Sequence, residues 1–142
     1  MNTIKLVREP IDPSDWAGCL DGADCGAQLW FSGVTRQKTF GDDGRLIVTR
    51  TLYYEAYETM ALKQLEELAL VSAQSFNLVR TVIIHRLGEV PLGQSSVLVG
   101  GASAHRSNVF EAIPWIMDRL KADVPIWKRE TLDDSSMHWV HP

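Results

Sequence analysis

The sequence predicts an α+β fold: helices packed on a mostly antiparallel sheet. Two long segments, residues 56–76 and 105–120, space their apolar side chains at the helical period. Shorter runs rich in branched and aromatic residues alternate like strands, and clusters of Gly, Asp, Ser and Pro separate them. The resulting order is strand, helix, strands, helix, strands, helix, strands. With 142 residues and 45% hydrophobic content, the chain is long enough for one domain, residues 1–142, with a real core. No repeat, low-complexity tract or linker divides it.

Residues 4–8 alternate apolar and charged side chains, as a short edge strand does. Asp12-Pro13 combines an N-cap with proline at the first helical position, predicting a short helix through Leu20. Asp21-Gly22-Ala23-Asp24 is turn chemistry, and residues 27–34 read as a buried strand. Residues 36–45 form a polar loop around Asp43-Gly44, and residues 46–54 return as the second strand of a long-tipped hairpin.

In the segment 56–76, Ala61, Leu65, Leu68, Ala69, Ser72 and Phe76 share one stripe, while Glu58, Lys63, Glu66 and Glu67 fall largely elsewhere. Residues 79–86 and 96–103 are two more strands, joined by a turn region at 88–93. The helix at 105–120 contains Pro114, so it either starts late or bends there. Residues 124–128 form a strand, and Trp139-Val140 adds a last short pairing after the polar turn at 133–136.

Charge is unevenly spread. Residues 1–70 carry 7 Lys/Arg against 11 Asp/Glu, a balance of −4, and residues 71–142 carry 7 against 7. A sequence pI near 5.5 argues against a nucleic-acid binder, which would show a basic stripe. No apolar run approaches a membrane span. Met1 to Pro10 has a charged, mixed pattern rather than the apolar core of a secretory signal, which makes the cytoplasm the default address. Cys19 and Cys25, six residues apart with no histidine nearby, match no common zinc spacing and read as reduced thiols.

Against this acidic background, cations collect in the second half. His105 and Arg106 open the last helix, where free N–H groups and the positive dipole end favour phosphate. Arg106 has the alternative of pointing to solvent or pairing with Glu111. Lys121 closes the same helix, and a lysine there also serves as an ordinary partner of the helix dipole. Lys128 and Arg129 alternate on the next strand, so only one faces a pocket on a given side, and Glu130 is available to pair with either. Arg36 begins the flexible hairpin tip, where it is either a ligand contact or a solvated loop charge. His85, ending a strand, reads as a packed or hydrogen-bonded histidine, and the tyrosines at 53, 54 and 57 as core and interface. Neither a nucleophilic triad nor a phosphate-binding glycine loop is present, since Gly100-Gly101 lacks the Lys-Ser/Thr that would follow. The charge pattern points to a pocket for an anionic ligand.

Several blocks in order, Gly33-x-x-Arg36, Leu52-x-Tyr54-Glu55-Ala56-Tyr57-x-x-Met60-Ala61, Ile84-His85-Arg86-x-Gly88, His105-Arg106-x-x-x-Phe110, Leu120-Lys121-x-x-x-Pro125-Ile126-Trp127-Lys128-x-Glu130 and Trp139-Val140, together resemble the large, catalytic subunit of molybdopterin synthase. The resemblance implies an α/β hammerhead fold. It also implies a homodimer flanked by two small ubiquitin-like sulfur-carrier subunits, each threading a C-terminal Gly-Gly thiocarboxylate into a pocket. The implied reaction moves two sulfurs onto cyclic pyranopterin monophosphate, with no metal or resident cofactor. Lys121 and Lys128 are the implied catalytic lysines, and Arg36, His105 and Arg106 match substrate-binding positions. The chain departs from the family pattern at Gln37, where an asparagine is usual, and at Asp133-Asp134-Ser135-Ser136, which replaces a glycine-containing turn.

Overall fold

The most apolar β-prone runs become the two central strands of a four-stranded sheet. In the computed structural model, which describes residues 1–140, β1 (Asn2–Val7) lies at one edge of this sheet, parallel to β5 (Arg80–Arg86). β5 runs antiparallel to β7 (Ser95–Ser103), and β7 antiparallel to β2 (Ala27–Val34) at the other edge. The side-chain alternation of β5 and β7 divides the core in two. Ile83, Val97 and Val99 face the long helices, whereas Val82, Ile84, Leu98 and Ala102 face the N-terminal segment.

That N-terminal segment is a short helix, α1 (Pro13–Trp16), continued by a 3-10 turn through Leu20. Asp12 caps α1 by accepting from the Ser14 N–H at 3.0 Å. Leu20, fully buried, seals the far face of the sheet together with Ile11.

The other face is covered by α2 (Glu58–Phe76) and α3 (Arg106–Asp123), whose buried stripes are Ala61, Leu65, Ala69 and Ser72, and Val109, Ala112, Ile113, Ile116 and Leu120. Gly101 of β7 lets α3 come close: a Cβ there would already lie 3.5 Å from Ile113. On the opposite face, Gly100 makes room for the Trp30 ring, which a Cβ would overlap. α3 is continuous across Pro114, which sits on its exposed side, where water can serve the carbonyl that loses its amide donor.

A second sheet is built on β4 (Leu46–Ala56). β3 (Lys38–Phe40) and β6 (Gly88–Pro91) pair with one edge of β4, and β8 (Ile126–Leu132) with the other, followed by β9 (Met137–Val140). The predicted α+β class with mostly antiparallel sheets is the class observed, with β1–β5 as the parallel exception.

Four local readings change. The strands at 27–34 and 46–54 do not form the expected hairpin: β2 pairs with β7 in the first sheet, and β4 with β3, β6 and β8 in the second. β2, read as a buried strand, is an edge strand paired only with β7, and its Phe31 and Val34 are 39% and 57% exposed. The loop at 36–45 contains β3, and the turn region at 88–93 contains β6. Both are short enough that their pairing with β4, rather than their own pattern, makes them strands.

Helix α2 ends at Asn77, which adopts the left-handed conformation, φ 53° and ψ 45°. Asn tolerates this region better than residues with an ordinary side chain. Asn77→Ala is expected to lower stability by about 1 kcal/mol, whereas Asn77→Gly holds or raises it. Urea denaturation of the two variants beside the parent chain measures the difference.

Candidate functional site

Between the two sheets and the C-terminal end of α3 lies a cavity of ≈ 560 Å³. Its polar wall is made by Arg36, Tyr54, His85, Lys121, Lys128 and Glu130, and its apolar part includes Phe31, Val34, Met117 and Leu120. Three of the five residues marked by the sequence, Arg36, Lys121 and Lys128, therefore share one cavity.

Each is aimed by its own element. Val124 precedes Pro125, which biases it to the extended backbone it adopts (φ −83°, ψ 131°) and stops α3 at Asp123. Lys121 is thus left in the last helical turn, at the cavity mouth. Two residues beyond Val124, Ile126 is 2% exposed and points into the core. Alternation then turns Lys128 and Glu130 to the same side, and Trp127 and Arg129 away. Arg129 stacks instead on Tyr53 and Trp139, 4.8 and 5.7 Å from the ring centroids. Cross-strand pairing sets Lys128 opposite Tyr54 and Glu130 opposite Leu52. Arg36 follows the β2 bulge at Gly33/Val34, and its Nε donates to Thr39 Oγ1 at 3.1 Å.

No ion pair within 4.0 Å forms among Arg36, Lys121, Lys128 and Glu130 in the described residues. Three cations against one carboxylate leave this wall with an unneutralised positive charge. Glu130 does not form the structural ion pair that its position allowed.

His105 and Arg106 lie elsewhere. His105 is the N-cap of α3 and Arg106 its first residue, both exposed. Fifteen residues of helix separate Arg106 from Lys121, roughly 22 Å at 1.5 Å per residue. Within one chain, the predicted gathering of these residues around the lysines does not occur, because a helix of this length holds its two ends apart. Nor is Arg106 paired with Glu111 in the described residues.

Tyr54 and His85, which the sequence suggested only as packing residues, both pack and line the cavity. Their rings meet edge-on, with centroids 5.0 Å apart and planes at 70°. Burial raises the Tyr54 phenol pKa, an effect opposed by a hydrogen bond with Ser96 and reinforced by the charge of Glu130. Burial pushes the His85 imidazole down from 6.5 to about 4, against the opposing effect of its hydrogen bond to the Arg86 backbone. The signal that could have placed these two at the site was their position inside matching blocks.

Arg36, Lys121 and Lys128 can receive an anion, and the exposed apolar rim of Phe31 and Val34 can receive an extended chain. No cluster of three His, Cys, Asp or Glu side chains suited to a metal ion occurs among the described residues. No helix among them is long and apolar enough to cross a membrane.

The sequence model of the family described as MoaE protein matches residues 6–123. This chain belongs to that family. A curated relative from Thermoplasma volcanium, named molybdopterin synthase catalytic subunit, is 35% identical over 136 residues and matched over 96% of both chains. A Drosophila erecta protein of the same name is 39% identical over 98% of this chain, which spans only 37% of that longer relative. Among solved structures, molybdopterin synthase from Staphylococcus aureus superposes with a TM-score of 0.86 at 31% identity, covering 95% of this chain and 94% of its own. The matched segment contains Arg36, His105, Arg106 and Lys121; Lys128 lies just beyond it.

The His85 environment in this MoaE-family chain has a pH consequence. The unfolded chain takes up a proton near pH 6.5, but the folded chain resists it down to about 4. Stability therefore falls as pH drops through that window, by up to about 3 kcal/mol from this group. NMR of the folded protein is expected to show His85 neutral from pH 8 to 5, while unfolding free energies decline below pH 6.5. A His85 ring that titrates near 6.5 would contradict the burial argument.

Proposed function

We propose that this chain is the catalytic subunit of a molybdopterin synthase, a sulfurtransferase that converts cyclic pyranopterin monophosphate to molybdopterin. The observation that carries the reading is the shared cavity of Arg36, Lys121 and Lys128, unneutralised by ion pairs. Family membership and the names of the relatives agree with it. The sulfur donor is the C-terminal Gly-Gly thiocarboxylate of a small ubiquitin-like carrier subunit, whose extended tail the apolar rim suits.

In the proposed reaction, the thiocarboxylate sulfur attacks an oxygen-bearing carbon of the pterin side chain, forming a C–S bond as the C–O bond at that carbon breaks and its oxygen departs with a proton. Water then cleaves the acyl–sulfur bond, returning the carrier as a carboxylate and leaving sulfur on the product. A second carrier repeats the transfer to complete the dithiolene. Negative charge develops at the acyl oxygen and the departing oxygen, and preorganised ammonium groups stabilise it in a partly dehydrated site. Lys121 and Lys128 fill this role and pass protons as the bonds exchange. Arg36 holds the cyclic phosphate. Sulfur arrives already activated on the carrier, so the sequence of steps calls for no resident metal or cofactor and no cysteine of this chain.

His105 and Arg106 cannot reach the same chain's cavity, so their substrate-binding role requires a second copy. We place them at the neighbouring site of a homodimer, where helix N-terminal N–H groups and the guanidinium favour phosphate. Cytoplasmic residence follows from this reading, since such a carrier and substrate are intracellular.

Purified chain mixed with thiocarboxylated carrier and cyclic pyranopterin monophosphate is expected to yield dithiolene product. Lys121→Ala should abolish it and Lys128→Ala should slow it by about 100-fold or more, both with unchanged folding by circular dichroism. Normal turnover in both variants would remove the lysines from the mechanism. Arg106→Ala is expected to weaken binding of the pterin phosphate by about 10-fold in a calorimetric titration. Unchanged affinity would count against a phosphate role for this residue.

A further inference from the structure

His85 is attached to β5, the strand whose side chains are almost all buried, yet it lines the cavity. Its Nδ1 lies 2.9 Å from the Arg86 backbone carbonyl oxygen. A carbonyl only accepts, so Nδ1 carries the proton and donates it. In the neutral ring, this leaves Nε2 with a bare lone pair. Nε2 has no hydrogen-bond partner among the described residues. The sealed, unpartnered side-chain polar atoms of those residues are Gln64 Oε1, Thr81 Oγ1, Arg86 Nε and Arg129 Nε. Nε2 is not among them, so it opens onto the cavity. The edge-on contact with Tyr54 at 5.0 Å fixes the plane of the ring and hence the direction of the lone pair.

The other strong polar groups divide by role. Arg36, Lys121 and Lys128 can only donate, which suits the anionic part of a ligand, while Glu130 of the same wall is a charged acceptor. A neutral acceptor held in one orientation suits the opposite end, where a fused heterocycle carries N–H groups. We propose that Nε2 of His85 is a specificity-determining acceptor that receives a hydrogen bond from a ring N–H or amino group of the heterocyclic substrate. The inference rests on the cavity being the pterin site. Burial keeps the imidazole uncharged at neutral pH, so it neither repels the three cations nor loses its lone pair. A site with a committed acceptor also discriminates against analogues that lack the donor, because the buried acceptor is then left unpaired.

Two substitutions and one measurement on the parent protein test this. Asn at 85 can still offer an amide N–H to the Arg86 carbonyl but has no atom where Nε2 was, whereas the longer Gln can bring an amide oxygen there. His85→Asn is expected to raise KM for the pterin substrate about 10-fold or more, with kcat and the KM of the thiocarboxylated carrier within about 3-fold. His85→Gln should recover most of the loss. In the parent chain, the ¹⁵N resonance of His85 Nε2 should move upfield on binding of cyclic pyranopterin monophosphate, as an acceptor nitrogen does; this readout does not depend on any variant folding. An unmoved resonance, an unchanged pterin KM in the Asn variant, a loss confined to kcat, or a Gln variant no better than Asn would each overturn the inference. Parent chain that does not turn over the pterin at all would overturn the reading of the cavity itself. Turnover with an indifferent His85 removes only the present claim.

Discussion

Two residues, Val124 and Pro125, join the last turn of α3 to the first residue of β8, and the cavity depends on how tightly they do so. The joint is pinned from three directions. Val124 N–H donates to Leu120 O at 3.2 Å, Ile126 N–H to Val124 O at 2.8 Å, and Tyr57 N–H to Pro125 O at 3.2 Å. The third bond ties the joint to the residue at which β4 hands over to α2. Lys121 and Lys128 stand on either side of this short link, one on the helix and one on the strand. Burial of Ile126 sets the phase of the strand. A slip of one residue would drive Trp127 inward, forfeit about 1.5–3 kcal/mol of Ile126 burial, and exchange Lys128 for Arg129 at the cavity wall. The register Ala56↔Ile126 and Tyr54↔Lys128 resists such a slip along the rest of the strand.

The same arrangement explains why the site can hold positive charge without collapsing onto itself. Some cations elsewhere are paired: Arg80 with Asp24 at 2.9 Å, Arg8 with Glu58 at 2.8 Å, and Arg129 with two aromatic rings. In the cavity, Arg36 hydrogen-bonds only to a threonine hydroxyl among the described residues, and the lysines form no ion pair there. Partial exposure makes this tolerable, since water solvates the charges until a ligand displaces it. The interior flank of the same wall is built from neutral polar groups, Tyr54 and His85, which burial keeps uncharged. Charge at the mouth and neutral groups in the depth form a gradient that orients a ligand with one anionic end.

Much of this was legible in the residues. The long helices follow from their apolar stripes, although α3 runs to Asp123 rather than 120, and simple alternation showed that only one of Lys128 and Arg129 faces the cavity. What escaped was non-local. β3 and β6 are three and four residues long and exist because β4 offers them an edge. β2 has an apolar composition that reads as interior, but composition does not reveal which strand ends a sheet. The placement of His105 and Arg106 shows the same limit. Proximity to Lys121 on one helix looked like proximity in space, yet fifteen residues of helix separate the two ends by the width of the domain. Tyr54 and His85 were read as packing because each does pack. That both also face a cavity is a property of two sheets meeting, which neither segment encodes alone.

The most direct test of the account is whether Lys121 and Lys128 answer to one ligand. Lysine side chains isotopically labelled and followed by NMR during titration with cyclic pyranopterin monophosphate would report each ammonium separately. The account requires the Lys121 and Lys128 signals to shift together along a single binding curve, while those of Lys5 and Lys63, on other surfaces, stay in place. Separate affinities for the two lysines, or a response from only one of them, would contradict the shared cavity on which the proposed chemistry rests.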